Sequence, residues 1–398
     1  AFWEHHQLAL PISEDWEGSI CTGSVYREGD TYHAFYATRM YDRSQHLGHA
    51  IGETPYSFRK LEPNPFQSAP PGYSSFDLRD PIVFKGNDGL YQMLVTSRLE
   101  NFPLHDRGGC LLRLTSHDLA TWSVAGPLII PGGATGYESI PECPDYFEWN
   151  GWYYLLFGMS WRTHYLVSRN PFGPWRRPVL DTFDGSVAAV MKTARWKKNR
   201  RIGVFWLASR ETDTGRRQFG GNAVFRELIQ TGDGELRVRF VPEMTPRGTL
   251  FHPGLTALTA GVSGDPEHLS IEATNSEGAA AYTRLPQDYR LVMKIRPSLG
   301  TYRLGLGLRG TGLLEEFSKL AFEPSKLTAT LGHETIECVN GLTEEFTVEI
   351  VVTGDIRDVC INDERCVIDR LPNSTGDLLF LFVEWGEATF ELVTLEAL

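Results

Sequence analysis

A chain of 398 residues is too long for one ordinary core and reads as two domains. Its 38 basic and 50 acidic side chains leave a formal charge of −12, so the basic surface that phosphate backbones require is missing, and nucleic acid is excluded as a partner. No window approaches the roughly 18 to 20 uninterrupted apolar residues of a membrane span, so no membrane partner is expected and the chain as given reads as soluble, cytoplasmic or secreted after signal removal.

Aromatic side chains make up 12% of the residues, and 39 Gly and 23 Pro break the apolar runs into short pieces, which reads as a mostly β chain. In chain order the adjacent His5 and His6 come first; on an extended segment their side chains point to opposite faces, so no metal site is expected there. Three segments then share one layout. The first is "GSVYREGDTYHAFYATRM" followed by "HLGHAIGETPYSFRKLEP", the second "DPIVFKGNDGLYQMLVTSR" followed by "GGCLLRLTSHDLATWSVAGP", and the third "CPDYFEWNGWYYLLFGMS" followed by "THYLVSRNPFGPWRRPVL". Each holds an apolar strand, a Gly or Asn turn, an aromatic strand, a variable loop, a third strand and a polar turn ending on an aromatic. That is one four-stranded antiparallel blade per roughly 50 residues. Weaker copies follow at "GSVAAVMKTARWKKNRRIGVFWLASR" and "GGNAVFRELIQTGDGELRVRFVPE". The expectation is all-β: a five-bladed β-propeller over residues 1–248.

Beyond the turn-rich "FHPGLTALTAGVSGDPEH", alternating strands such as "EFTVEIVV" and "TFELVTLEAL" predict a C-terminal β-sandwich over 249–398. Short helices are expected at most, for example around "LLEEFSKLAF" at 313–322. Of the six cysteines only Cys360 and Cys366 look pairable, across a tight turn at Asn362 and Asp363, and two unbonded strand cysteines are expected there. The basic run "WKKNRR" at 196–201 reads as a solvated hairpin.

Tyr26, Phe84 and Phe147 end the first strand of each of the three clear blades and serve as a ruler. Asp80 lies four positions before Phe84, and Glu142 five before Phe147. In a propeller the innermost strands of all blades begin around one axis, so these acids, far apart in sequence, would converge on one pocket. Glycoside hydrolysis needs such a pair: one carboxyl group protonates the leaving oxygen, and another, kept ionised, acts as nucleophile or base or steadies the oxocarbenium-like transition state. The proline after each acid, direct in "DP" and one further on in "ECP", lacks an N–H and suits a strand start.

On "ECPDYF" and "LRDPIVF" the chain resembles glycoside hydrolase family 32, the fructan hydrolase and invertase family, allied to family 43. The resemblance runs along nearly the whole chain and is strong from 76 to 178; late strands similar to the family's read "FTVEIVVTGDIRDVCINDERCV". It implies a five-bladed propeller followed by a sandwich, Glu142 as general acid, Asp80 as sugar ligand and transition-state stabiliser, and Arg79 as a substrate contact. It also implies a nucleophilic aspartate in the first blade. Here that region reads "EDWEGSICTGSVY", and Ser19 or Ile20 takes the position, depending on whether Trp16 or Tyr26 is the anchor.

Three explanations stay open: Glu17 or Asp15 displaced to the axis as nucleophile or base; a site using Asp77, Asp184 or substrate assistance; or a pocket that binds sugar without cleaving it. The leading expectation is hydrolysis of a furanoside linkage. The alternatives are a non-catalytic carbohydrate-binding homologue and a transglycosylase or elimination enzyme using the same pocket. Trp16 and Trp161 lie in loops beside the proposed strand starts, where flat rings would cover a sugar face. Arg226 and Glu227, in "GRRQFGGNAVFREL", read as substrate contacts or a blade-closing pair, and Asp145 as a turn ligand. Specificity would rest on loops 98–108 and 132–141. No P-loop, G-x-G-x-x-G opening a helix, HExxH or GxSxG occurs, and no cofactor or metal is expected. The expected partner is an oligosaccharide or small glycoside substrate; no sequence feature sets the oligomeric state.

Overall fold

Residues 4–103, 107–130, 140–212, 215–372 and 374–398 are described in the computed structural model. Strands fill most of them, and the only helical segments among the described residues are 3-10 turns at Lys197–Asn199 and Pro324–Lys326. No helix among them is long and apolar enough to cross a membrane. By internal contacts the chain divides into a first unit running to Asp181 and including Val190–Lys192, and a second formed by Thr182–Ala189 and Thr193–Leu398.

The first unit holds three antiparallel meanders. One pairs β1 (Ser19–Glu28), β2 (Thr31–Arg39), β3 (Gln45–Thr54) and β4 (Ser57–Lys60) in order. The next pairs β5 (Tyr73–Lys85), β6 (Tyr91–Leu99), β7 (Gly109–Ser116) and β8 (Ser123–Ile129), and a three-stranded one pairs β9 (Glu142–Trp149), β10 (Trp152–Met159) and β11 (Arg162–Ser168). The turns have the chemistry the hairpins demand: Asn150 and Gly151, joining β9 to β10, both take positive φ, as a two-residue turn matched to strand twist requires. Between the meanders, apolar side chains alternate into two cores. Phe35, Leu47, Leu78, Met93, Val95, Leu112 and Leu114 fill one, and Leu94, Leu111, Leu155, Phe157 and Leu166 the other.

A fourth meander, β12 (Ala188–Trp196), β13 (Arg200–Arg210), β14 (Arg217–Gln230) and β15 (Leu236–Arg239), belongs to the second unit apart from Val190–Lys192 of β12. The segments expected as fourth and fifth blades are the two halves of this one sheet, because β13 and β14 pair directly, Val204 opposite Phe225. The described residues therefore hold four blade-like sheets. A thirteen-stranded sheet follows, folded round a core of Leu291, Ile295, Leu306, Phe322, Phe346, Ile350 and Phe390. Its spine is the strand Leu378–Ala397, which pairs with Arg303–Thr311 over its first half and with Tyr289–Pro297 over its second.

The short helix expected at 313–322 is a strand, Glu316–Glu323, paired with Arg303–Thr311. Good helix formers there are overridden by cross-strand packing, Phe317 edge-on to Phe380 at 5.6 Å. Cys360 and Cys366 stand directly opposite across the turn where Asn362 and Asp363 take positive φ, and both are free thiols.

Candidate active site

The first strands of the three meanders, β1, β5 and β9, are neighbours, with β5 packed against both others. Each breaks its register: β1 between Ile20 and Gly23, β5 between Tyr73 and Leu78 and again between Arg79 and Ile82, and β9 opposite Leu156 to Gly158. At two of these bulges a non-glycine residue takes positive φ, Asp80 at 58° and Cys143 at 51°. A bulge re-aims the side chain it carries, and such sparsely populated backbone marks sites where aim outweighs ease.

The bulges refine the sequence ruler. Four positions before Tyr26, Phe84 and Phe147 stand Thr22, Asp80 and Cys143, and these three join. The Cys143 N–H donates to Asp80 Oδ2 at 3.0 Å, and Cys143 Sγ lies 3.8 Å from Thr22 Oγ1. Asp80 thus has Cys143 as its counterpart, with Glu142 one residue earlier; it sits within β5 at a bulge, and Glu142 opens β9.

Arg79 ties the acids together. Its Nη2 donates to Glu142 Oε1 at 2.7 Å, its Nη1 to Asp77 Oδ1 at 2.9 Å and to Gln45 Oε1 at 3.2 Å, and its Nε lies 3.7 Å from Asp80 Oδ2. Arg98 and Ser74 hold the other Asp77 oxygen. Thr96 Oγ1 lies 3.1 Å from Asp80 Oδ2 and 3.0 Å from the Pro141 carbonyl, and Lys192 Nζ donates to the Pro144 carbonyl. Burial works against the Arg79 charge, but Asp77, Glu142 and Asp80 outweigh it and hold the guanidinium above its ordinary pKa. Asp80 is almost fully buried, whereas the Glu142 side chain is 49% exposed. One carboxylate is fixed and dry; the other faces solvent. Burial first, and then the Asp80 charge, pushes the Cys143 thiol up to about 12, so that sulfur stays protonated and is no nucleophile.

The remaining expected residues divide. Asp77 belongs to the cluster as an Arg79 and Arg98 partner. Trp161 is half-exposed in the two-residue turn from β10 to β11, next to the opening of β9, and takes φ 65° where Gly or Asn would fit without strain. Trp16 is half-buried just before β1, and Asp15 is exposed. Glu17, expected as a displaced nucleophile or base of the first blade, is engaged within its own meander and the segment before it. Its side chain is fully buried and occupied by Lys60, by the N–H groups of Ser13 (3.2 Å) and Glu14 (3.4 Å), and by the Tyr36 hydroxyl (3.5 Å), so it secures the segment before β1. Ser19 and Ile20 begin β1 as ordinary strand residues.

Arg226, Glu227 and Asp184 belong to the second unit. Arg226 pairs with Asp184 at 2.7 Å and Asp358 at 2.6 Å, and Glu227 is bound by Arg200 and Arg239. Asp145 is buried inside β9, and His6 stacks on Tyr56. Of the specificity loops, 104–106 and 132–139 lie outside the described residues. Sequence reasoning missed Gln45, Thr96, Arg98, Cys143 and Thr22; the equal four-residue offset from Tyr26, Phe84 and Phe147 held the signal for the last two.

Residues 1–220 match the Glycosyl hydrolases family 32 N-terminal domain. The chain belongs to glycoside hydrolase family 32. It is 27% identical over 153 residues to the sucrose-6-phosphate hydrolase of Staphylococcus xylosus, an alignment covering 37% of this chain and 29% of that protein. With the sucrose-6-phosphate hydrolase of Pediococcus pentosaceus it is 29% identical over 141 residues, 34% of this chain and 23% of that one, so it matches less than a third of either relative's length. The family 32 β-fructofuranosidase of Bombyx mori superposes with a TM-score of 0.69 at 18% identity, over 96% of this chain and 80% of that one. The β-fructofuranosidase of Aspergillus kawachii gives 0.72 at 14% identity, over 98% and 84%. These likenesses establish the fold, and the family 32 relatives are glycosidases.

Proposed function

We propose that this family 32 chain hydrolyses a furanoside linkage of a small glycoside, of the fructofuranoside or sucrose-phosphate kind that its relatives' names carry. The observation that carries the reading is the single guanidinium of Arg79 shared by a solvent-facing Glu142 and a buried Asp80. A substrate hydroxyl that accepts from Arg79 Nη2 in its place frees the Glu142 carboxylate, which takes a proton from solvent and passes it to the leaving oxygen as the glycosidic bond breaks. Asp80, held by the Cys143 N–H and the Thr96 hydroxyl, faces the positive charge that develops on the sugar. Water then adds, giving its proton to the Glu142 carboxylate. Trp161 would cover the apolar face of the ring. The reading places chemistry in a propeller domain over 1–248, treats 249–398 as an accessory sandwich, and leaves Glu17, Arg226 and Glu227 as structural ion pairs.

A second reading has its own observation: the first meander meets the cluster with Thr22 and no carboxylate. In that reading the pocket holds a sugar without cleaving it. Product release from sucrose, sucrose 6-phosphate, fructans and arabinans, with the anomeric configuration followed by NMR, separates the two. Hydrolysis of one of them supports the enzyme; calorimetric binding without turnover over long incubation supports the binder.

A further inference from the structure

Along one edge, the strand Leu378–Ala397 changes partners at one place. Up to Glu384 it pairs with Arg303–Thr311, and from Ala388 with Tyr289–Pro297. At the switch Trp385 takes φ 48° and Gly386 φ 156°. A strand that crosses between layers needs such a corner. The glycine is required, because a Cβ on Gly386 would lie 2.5 Å from Thr301 Oγ1. The tryptophan is not. A bulky residue at positive φ is an outlier that Gly or Asn would avoid, and the indole is 55% exposed, so it contributes little to the core.

The corner is locked from the neighbouring turn. Thr301, buried, donates to the Glu387 carbonyl at 2.8 Å, the Ser298 N–H donates to the same carbonyl at 2.8 Å, and the Tyr302 N–H donates to the Trp385 carbonyl at 3.1 Å. That bond sets Tyr302 beside Trp385, with ring centroids 5.4 Å apart and planes inclined at 48°. The Arg303 guanidinium lies 4.9 Å from the Tyr302 ring centre and bonds Glu323 at 2.6 Å and Glu384 at 3.0 Å; Lys319 bonds the second Glu384 oxygen at 3.0 Å. Two fixed, tilted aromatic faces are therefore edged by a guanidinium, an ammonium and two carboxylates.

We propose that Trp385 and Tyr302 form a carbohydrate-binding platform in the second unit, sharing no residue with the Arg79 cluster and taking one or two sugar rings of an oligosaccharide chain. A sugar ring has an apolar C–H face and a rim of hydroxyls. The indole and phenol cover the face, while Arg303, Glu323 and Glu384 meet the rim. Because the backbone that carries both rings is already locked, little backbone freedom is lost on binding. The choice of fructan as first probe rests on the proposed function; the platform itself does not.

The test is affinity electrophoresis of the full chain through gels holding inulin, levan, arabinan, xylan or a mixed-linkage glucan, for wild type, Trp385→Ala and Tyr302→Phe. Hydrolysis of a short substrate is measured in parallel. The expected result is retardation of wild type by at least one polymer, a loss of about tenfold or more in affinity for Trp385→Ala, a smaller loss for Tyr302→Phe, and unchanged turnover of the short substrate in both. Retardation of wild type with no loss in Trp385→Ala, or no retardation by any polymer, overturns the proposal. A concentration-dependent oligomer that disappears in Trp385→Ala without any sugar dependence also overturns it, and marks the pair as a contact between copies. Should Trp385→Ala fail to fold, Trp385→Asn, which suits the positive φ, takes its place. Failure of the platform leaves short-substrate turnover intact, whereas failure of the proposed function abolishes turnover and leaves the retardation.

Discussion

Two arginines gather carboxylates in this chain, and they do so differently. Arg226 lies between the Phe205 and Phe240 rings, bonds both oxygens of Asp358, reaches Asp184 through Nε and Nη2, and gives its remaining bond to the Phe225 carbonyl. It is 1% exposed, with every donor direction used. Arg79 also holds carboxylates, but Glu142 among them is half-exposed, and the Asp80 and Cys143 backbones are bent to bring the groups together. The same residue types thus make a closed structural joint in one unit and a cluster with capacity left for a ligand in the other. What separates them is unspent hydrogen-bonding capacity facing solvent, not charge.

Substitutions sharpen that contrast. Arg226→Met should lower stability by about 3–5 kcal/mol, since it leaves the buried Asp184 and the partly buried Asp358 without their cation, while turnover per folded molecule is kept; thermal melts beside active-site titration check both. Asp80→Asn should do the reverse, with turnover down about 10²- to 10³-fold and a melt close to wild type, because an amide still accepts from Thr96 and Cys143. Equal melting losses in the two variants would erase the distinction.

Acid provides a third probe, acting through the first unit. His49 is packed against Phe35 at 4.1 Å with its Nε2 3.0 Å from His33 Nδ1, and burial, then the neighbouring His33, pulls it down to about 4. The unfolded chain binds this proton near pH 6.5 and the folded one only near 4. Stability from this site is therefore full above pH 6.5 and lost as pH falls through that window, by roughly 3 kcal/mol at most. Melts between pH 7 and 4 should show that slope, flattened in His49→Gln. The smallest effect expected is from Arg79→Lys: a point charge cannot reproduce the fork, and KM should rise about tenfold, a change of about 1.4 kcal/mol, with the melt little altered.

The sequence made the meanders legible because their strands alternate and the turns at Gly29, Gly89 and Asn150–Gly151 put Gly or Asn where positive φ is needed. Cys360 opposite Cys366 followed from the same turn chemistry. The segment 313–322 misled, since Leu, Glu and Lys favour helix and only the distant partner strand decides otherwise. The separate fourth and fifth blades misled as well, because each weak copy carried two strands, and pairing of β13 with β14 is a register no composition shows. At the site, Asp80, Arg79 and Glu142 stood out from their motifs, but Gln45 and Thr96 reach them across other strands and carry no local mark. Glu17 looked free because Lys60, its partner, lies 43 residues away. For Thr22 and Cys143 the cause is the bulge: an extra residue shifts which side chain faces the site, and that shift is invisible until strands are paired.

The most direct test of Glu142 as a proton donor compares two leaving groups. Wild type and Glu142→Gln are assayed on a natural fructoside, whose leaving alcohol must be protonated, and on a dinitrophenyl fructofuranoside, whose phenolate departs unaided. The expected result is a loss of about 10³-fold or more on the natural linkage and less than about tenfold on the aryl glycoside. An equal loss on both substrates, or no loss on the first, would contradict the assignment.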